Sequence, residues 1–144
     1  MAVKLVEVIL DTNIILRYLL KDLEDQYVAV QGKLKKLKHA GGVAVVFGEV
    51  VVECIHVMEK LYRMTRTDIV SILKPFLQTE VILLEDKNTV VKALSMYETT
   101  RLSYVDCLII QKGRDDEIEI FTFDKKLLSK LSGPAKSGDK GGML

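Results

Sequence analysis

The chain has 144 residues, 49% of them hydrophobic and 28% charged, with a formal net charge of +1. That length and balance fit one domain with a sizeable core and exclude a fibre, a loop-rich scaffold and a low-complexity chain. A total so near neutral carries no whole-surface signature for nucleic acid, membrane or an acidic partner, though a local basic patch can sit beside a local acidic one.

No apolar run reaches the roughly 18 residues of a membrane span, and no apolar core with a small-residue cleavage site follows the N-terminus. Neither membrane insertion nor secretion is indicated. The only two cysteines, Cys54 and Cys107, form no CxxC and accompany no His cluster at zinc spacing. Each directly follows an acid, so in a helix each points about 100° away from it. Both read as small buried hydrophobes in a reducing, cytoplasmic setting.

Residues 5–10 are apolar enough to predict a strand buried on both faces, with Asp11 where it ends. Asn13 is placed to cap a short apolar helix over 14–20, which Lys21-Asp22 breaks. A second helix over 24–38 has Tyr27, Val30, Leu34 and Leu37 as its core stripe. Lys33, Lys35, Lys36 and Lys38 crowd its last turns. They either complement the helix dipole or offer a phosphate-attracting patch. Gly41-Gly42 closes this section, and 43–47 is the second strand. A helix over 48–62 follows, with Glu49 and Glu53 on one face; valines 50, 51 and 52 would equally suit a strand and leave its start open.

Thr65-Arg66-Thr67-Asp68 has capping-box spacing and opens a helix carried by Ile69, Ile72, Leu73 and Phe76, which Pro75 should kink or shorten. The third strand is 81–84. Residues 86–88 can cap a helix in which Val90, Val91, Leu94 and Tyr97 share a face. Ser103-Tyr104-Val105-Asp106 is a second capping box, opening a helix over 105–114. Residues 118–123 read as the fourth strand, Asp124 stands just past it, and 125–131 is a last short helix. From Ser132 on, Gly, Ser, Lys and Pro predict a disordered tail over 132–144. Strands alternating with helical segments predict βαβ units, a parallel sheet and a single domain over 1–131.

Asp11 and Asp124 each end a predicted strand, Asp106 opens a helix, and Glu53 lies early in the helix after the second strand. The four carboxylates are thus expected at one sheet edge, where open α/β sheets bind ligands. Carboxylates gathered there repel one another unless cations are present. Mg²⁺ or Mn²⁺ would supply that charge, retain waters and complete their shell with phosphate oxygens. Two such ions can activate water and stabilise the leaving oxygen in phosphodiester cleavage. Each acid also has a structural explanation: Asp106 as a capping-box member, Asp124 as a plain N-cap, Glu53 as a solvated helix acid. Asp11, directly after an apolar strand, is the hardest to dismiss.

Rival chemistries fit less well. A haloacid-dehalogenase phosphatase needs a second Asp where Asn13 stands, and a receiver domain needs an acidic pair near the first strand. No Gly-rich phosphate loop is present. His39 and His56 give a His-based hydrolase little to build on.

Four pieces of the chain resemble the PIN domain, most closely the VapC-type toxin ribonucleases of prokaryotic toxin–antitoxin pairs. They are Val8-Ile9-Leu10-Asp11-Thr12-Asn13; Val51-Val52-Glu53 with Val57-Met58-Glu59-Lys60-Leu61-Tyr62; Leu102-Ser103-Tyr104-Val105-Asp106-Cys107-Leu108-Ile109; and Ile120-Phe121-Thr122-Phe123-Asp124-Lys125-Lys126-Leu127. The resemblance implies a three-layer α/β/α sandwich around a parallel sheet of four to five strands. It implies a Mg²⁺- or Mn²⁺-dependent endoribonuclease, often dimeric, inhibited by a small antitoxin that inserts a segment near the active site. Asp11, Glu53, Asp106 and Asp124 match the family's acidic metal-binding residues, and Thr12 or Asn13, with Thr122, match the polar positions beside them. Asp11 and Asp106 are expected to hold the principal metal, Glu53 to bind it directly or through water, and Asp124 to orient water or a second ion. Glu49, one turn from Glu53, could assist or replace it. Arg17, Lys21 and the lysines at 33–38 are weak candidates for RNA backbone contacts. The alternative expectation is a catalytically silent RNA-binding or protein-interaction module on the same fold.

Overall fold

The computed structural model describes residues 5–131; the tail expected over 132–144 lies outside them. The chain divides into two compact units, Met1–Lys87 and Asn88–Leu144.

The first unit runs β1 (Glu7–Ile9), α1 (Thr12–Leu20), α2 (Glu24–His39), β2 (Val43–Val46), α3 (Gly48–Lys60), α4 (Arg66–Gln78) and β3 (Ile82–Leu84). Its strands are parallel in the order β1-β2-β3, with Ile9 opposite Val45 and Val45 opposite Leu83. Parallel neighbours need long crossovers, and here each crossover holds a pair of helices. Ala44, Val46, Ile82 and Leu84 face the core. Val30, Leu34 and Leu37 of α2 are buried on the expected stripe, with Tyr27 half-buried. Valines 50 to 52 lie in α3, not in a strand. There Val51, Cys54, Ile55 and Met58 form one buried stripe at helical spacing, and this burial outweighs the β preference of three consecutive valines. Thr65 caps α4 by accepting from the Asp68 N–H at 3.1 Å. Pro75 does not end that helix, which continues to Gln78. A proline forfeits one backbone hydrogen bond, but Leu73, Phe76 and Leu77, buried on either side of it, hold the helix to its course.

The second unit contains α5 (Lys87–Thr99), α6 (Tyr104–Asp116) and α7 (Lys125–Leu131). Val90, Leu94 and Tyr97 are buried as expected, and Tyr97 meets Tyr104 edge-on at 6.4 Å. The predicted fourth strand at 118–123 is not formed, so the sheet has three strands among the described residues, not four to five. Apolar content gives that segment strand propensity, but a strand exists only with a hydrogen-bonded neighbour. Instead Glu117 takes a left-handed cap conformation (φ 54°), and the Ile118 N–H donates back to the Gly113 carbonyl at 2.9 Å. No helix among the described residues is long and apolar enough to cross a membrane.

Helices α5 and α6 are tied by a polar link. The Thr89 hydroxyl donates to Asp115 at 2.6 Å, and the Lys92 ammonium approaches the other carboxylate oxygen at 3.1 Å. These contacts hold the Asp115 carboxyl below the usual carboxylate range. A carboxyl lowered in the folded state stabilises the fold above its unfolded value of about 3.9, and that contribution is lost as pH falls through the lower folded value. Asp115→Asn is expected to flatten the decline of the urea midpoint below about pH 4. A variant whose acid limb matches the wild type would contradict this.

Candidate active site

In the first unit, β1 ends two residues before Asp11, and the backbone stays extended there (φ −89°, ψ 173°). That conformation suits an N-cap, and Asp11 fills the role: its Oδ1 accepts from the Ile14 N–H at 2.9 Å. Asn13 is therefore not the cap. Helix α1 starts at Thr12, two residues earlier than the apolar pattern implies, so Asn13 lies inside the first turn. Capping occupies one Asp11 oxygen and leaves Oδ2 open, in an exposed residue.

The parallel pairing of β1 and β2 sends both chain exits to the same sheet edge. Helix α3 leaves that edge from Gly48, which places Glu49 in its first turn and Glu53 in its second, both exposed. Cys54 reports on the neighbourhood. Burial pushes its thiol up to about 12, and the negative charges of Glu53 and Asp11 add to the effect. A thiol so held is neutral and unreactive at physiological pH. Cys54 and Cys107 are both free and buried. A disulfide-exchange reagent at pH 8 is thus expected to label neither cysteine in the folded protein and both in denaturant. Rapid labelling of Cys54 under native conditions would contradict that placement.

In the second unit, Ser103 caps α6 by accepting from the Asp106 N–H at 3.1 Å, which is one half of the expected capping box; the reciprocal bond from the Ser103 N–H to the Asp106 carboxylate is not made. The half-buried Asp106 carboxylate is left with no hydrogen bond or ion pair among the described residues. Asp124 caps α7: its Oδ1 accepts from the Lys126 and Leu127 N–H groups at 2.8 and 3.0 Å. Thr122 steadies that cap, its hydroxyl accepting from the Asp124 N–H at 3.0 Å.

Each unit supplies two of the four acids, and neither alone gathers three His, Cys, Asp or Glu side chains able to hold a metal ion, among the described residues. Arg17 is not a free cation. Its Nη1 meets both oxygens of Asp22, at 3.2 and 2.9 Å, and the Tyr62 hydroxyl donates to the same carboxylate at 3.4 Å. Asp22 and Tyr62 are the partners that local reading misses. The left-handed turn at Lys21 (φ 54°) brings Asp22 back to Arg17, and a single-residue left-handed turn at Lys leaves no sequence signal. The Lys21 ammonium lies 5.2 Å from the centre of the Tyr27 ring.

The PIN domain family matches residues 8–133, which spans both units and all four acids. The chain belongs to the PIN domain family. A VapC ribonuclease of Aquifex aeolicus (strain VF5) is 25% identical over 119 residues, covering 82% of this chain and 87% of that protein. No solved structure matches. The four candidate acids of this PIN chain are chemically uniform. Asp11, Glu53, Asp106 and Asp124 offer carboxylate oxygens, and two of the four keep one oxygen free of capping duty while the other two carboxylates accept no bond among the described residues. Oxygen donors without imidazole or thiolate suit a hard divalent cation such as Mg²⁺ or Mn²⁺ and not a zinc site.

Proposed function

We propose that this PIN protein is a divalent-metal-dependent endoribonuclease, the toxin of a toxin–antitoxin pair acting in the cytoplasm. The observation that carries the reading is Asp11: an acid at the C-terminal end of a parallel strand, oriented by its own helix and keeping one oxygen free. The position of its companions in the family pattern, and the likeness to a VapC ribonuclease, support the same reading.

Asp11, Glu53, Asp106 and Asp124 would hold Mg²⁺ or Mn²⁺, which when bound supplies Lewis acidity at a phosphodiester and lowers the pKa of water. The chain's residues contribute orientation and charge. The Ile14 N–H fixes the rotamer of Asp11, and the Lys126 and Leu127 N–H groups fix that of Asp124. Thr122 holds the turn from which Asp124 projects. Asp106 brings an unengaged carboxylate. Glu53 carries the remaining charge, with Glu49 one turn away on the same helix. Thr12 and Asn13, in the first turn of α1, are polar groups beside Asp11 that can face a phosphate. The RNA substrate, a small antitoxin partner and a homodimer complete the proposal. Lys21 and the lysines at 33–38 are the candidate backbone contacts, and Arg17 joins them only by leaving Asp22.

End-labelled single-stranded RNA incubated with the purified protein tests the reading. Cleavage is expected with Mn²⁺ or Mg²⁺ and not with excess chelator. RNA that is bound but never cut, under either metal, would replace the enzyme with a silent RNA-binding module.

A further inference from the structure

We propose that Tyr62 and Asp22, acting through Arg17, are positioning residues: they brace helices α1 and α3 at the ends remote from the sheet edge and so fix the spacing of Asp11 and Glu53. The inference deepens the metal reading above and rests on it. At the sheet edge the two helices are already fixed to each other, because β1 pairs with β2 and puts Ile9 opposite Val45. Beyond that edge α1 and α3 pack together, with Ile15 and Leu16 buried on one and Cys54, Ile55 and Met58 on the other. Apolar packing is non-directional, and packed helices slide on one another by small amounts. A metal shell tolerates little of that, since Mg²⁺ demands oxygens at about 2.0–2.1 Å in near-ideal octahedral geometry.

The far ends carry a directional tie. The Lys21 N–H donates to the Arg17 carbonyl at 3.2 Å, and the left-handed turn there returns Asp22 to Arg17. At the end of α3 stands a second left-handed residue, Arg63 (φ 55°). Around it the Tyr62 and Met64 N–H groups donate to the Val57 and Met58 carbonyls at 3.2 and 3.0 Å. Tyr62 is thereby held on α3, and its hydroxyl reaches the Asp22 carboxylate, 40 positions away, at 3.4 Å. Tyr62 first, and Asp22 next, hold the Arg17 guanidinium above its usual pKa. Arg17 lies about 9 Å along α1 from Asp11, and Glu53 about two turns before the end of α3. The tie therefore touches neither acid and acts through the helices that carry them. Exposed ion pairs contribute little to stability, and the Arg17 and Asp22 side chains are 26% and 38% exposed. Their tie sets geometry more than it holds the fold.

Mn²⁺ titrated into the full chain, with free Mn²⁺ followed by its paramagnetic resonance signal, tests the tie. Tyr62→Phe removes the hydroxyl and keeps the ring and the charge. It should weaken Mn²⁺ binding about fivefold, less than the loss of about 10–100-fold when a group bonded to a metal ligand is replaced. Its urea midpoint, and its affinity for RNA in chelator, should match the wild type. Asp22→Ala should weaken Mn²⁺ as much, and the two substitutions together no more than either alone, because one tie is broken once. These ratios should persist in about 1 M salt, where a change of distant charge is screened. Wild type that binds no Mn²⁺ removes the metal reading and this inference with it. Wild type that binds Mn²⁺, with Tyr62→Phe equal to it, overturns the inference alone. So does a urea midpoint that falls along with the affinity, which marks a tie for stability. Lost RNA affinity with Mn²⁺ binding intact also overturns it, because Arg17 is then an RNA contact.

Discussion

Asp11→Asn is expected to reduce metal-dependent RNA cleavage by more than about 100-fold while leaving thermal stability unchanged. Replacing groups that merely brace metal ligands already costs about 10–100-fold, so removing the charge of a ligand should cost more. The fold should not notice. Asp11 caps α1 through one oxygen accepting from Ile14, and Asn caps a helix as well as Asp does. The substitution removes the charge and keeps the cap. Asp11→Ala removes both and should lower stability by about 1 kcal/mol in addition. The same separation applies to Asp124→Asn, whose amide oxygen can still accept from Lys126 and Leu127. An Asp11→Asn protein as active as wild type would remove Asp11 from the chemistry and leave it a cap.

Gly42→Ala is the second substitution with a large expected effect. A Cβ there would lie 2.5 Å from the Val6 carbonyl oxygen and 3.2 Å from both Leu37 Cδ2 and Val6 Cβ. The nearest atom is backbone and cannot rotate away. That same carbonyl accepts from the Val43 N–H at 2.9 Å, so relief of the clash must shift the entry of β1 relative to β2. Overpacking of this kind costs about 1–3 kcal/mol. Urea unfolding should show the loss, and cleavage should fall with it, since β1 places Asp11. Gly32→Ala is the control. A Cβ there meets nothing within 4 Å and lies inside α2, where Ala is favoured over Gly by about 1 kcal/mol. Gly42→Ala as stable as Gly32→Ala would show that β1 has room the structure does not give it.

Much of the fold is readable from local pattern because local physics sets it. The Thr65 and Ser103 caps and the buried stripe of α2 each depend on residues within a few turns, and all stand where the spacing puts them. What escapes reading depends on partners distant in sequence. Residues 118–123 have the composition of a strand, but pairing is not a local property. Valines 50 to 52 take whichever geometry buries Cys54, Ile55 and Met58 with them. Asp11 and Asn13 can each cap a helix, and a shift of two residues in where the helix starts decides between them. Of the candidate site, the residue types were legible, and so were the positions of Asp11, Asp106 and Asp124 at the starts of helices. The cap geometry that orients Asp11 and Asp124, and the capture of Arg17 by Asp22 and Tyr62, were not.

The central claim of the proposed function is that Asp11, Glu53, Asp106 and Asp124 bind a divalent metal. Titrating Mn²⁺ into the folded protein, and following free Mn²⁺ by its paramagnetic resonance signal, tests it without any need to know the RNA target. Wild type should bind Mn²⁺, and Glu53→Gln in the first unit and Asp106→Asn in the second should each weaken that binding by about 10-fold or more. If Asp106→Asn binds Mn²⁺ as wild type does, the four acids do not act as one set.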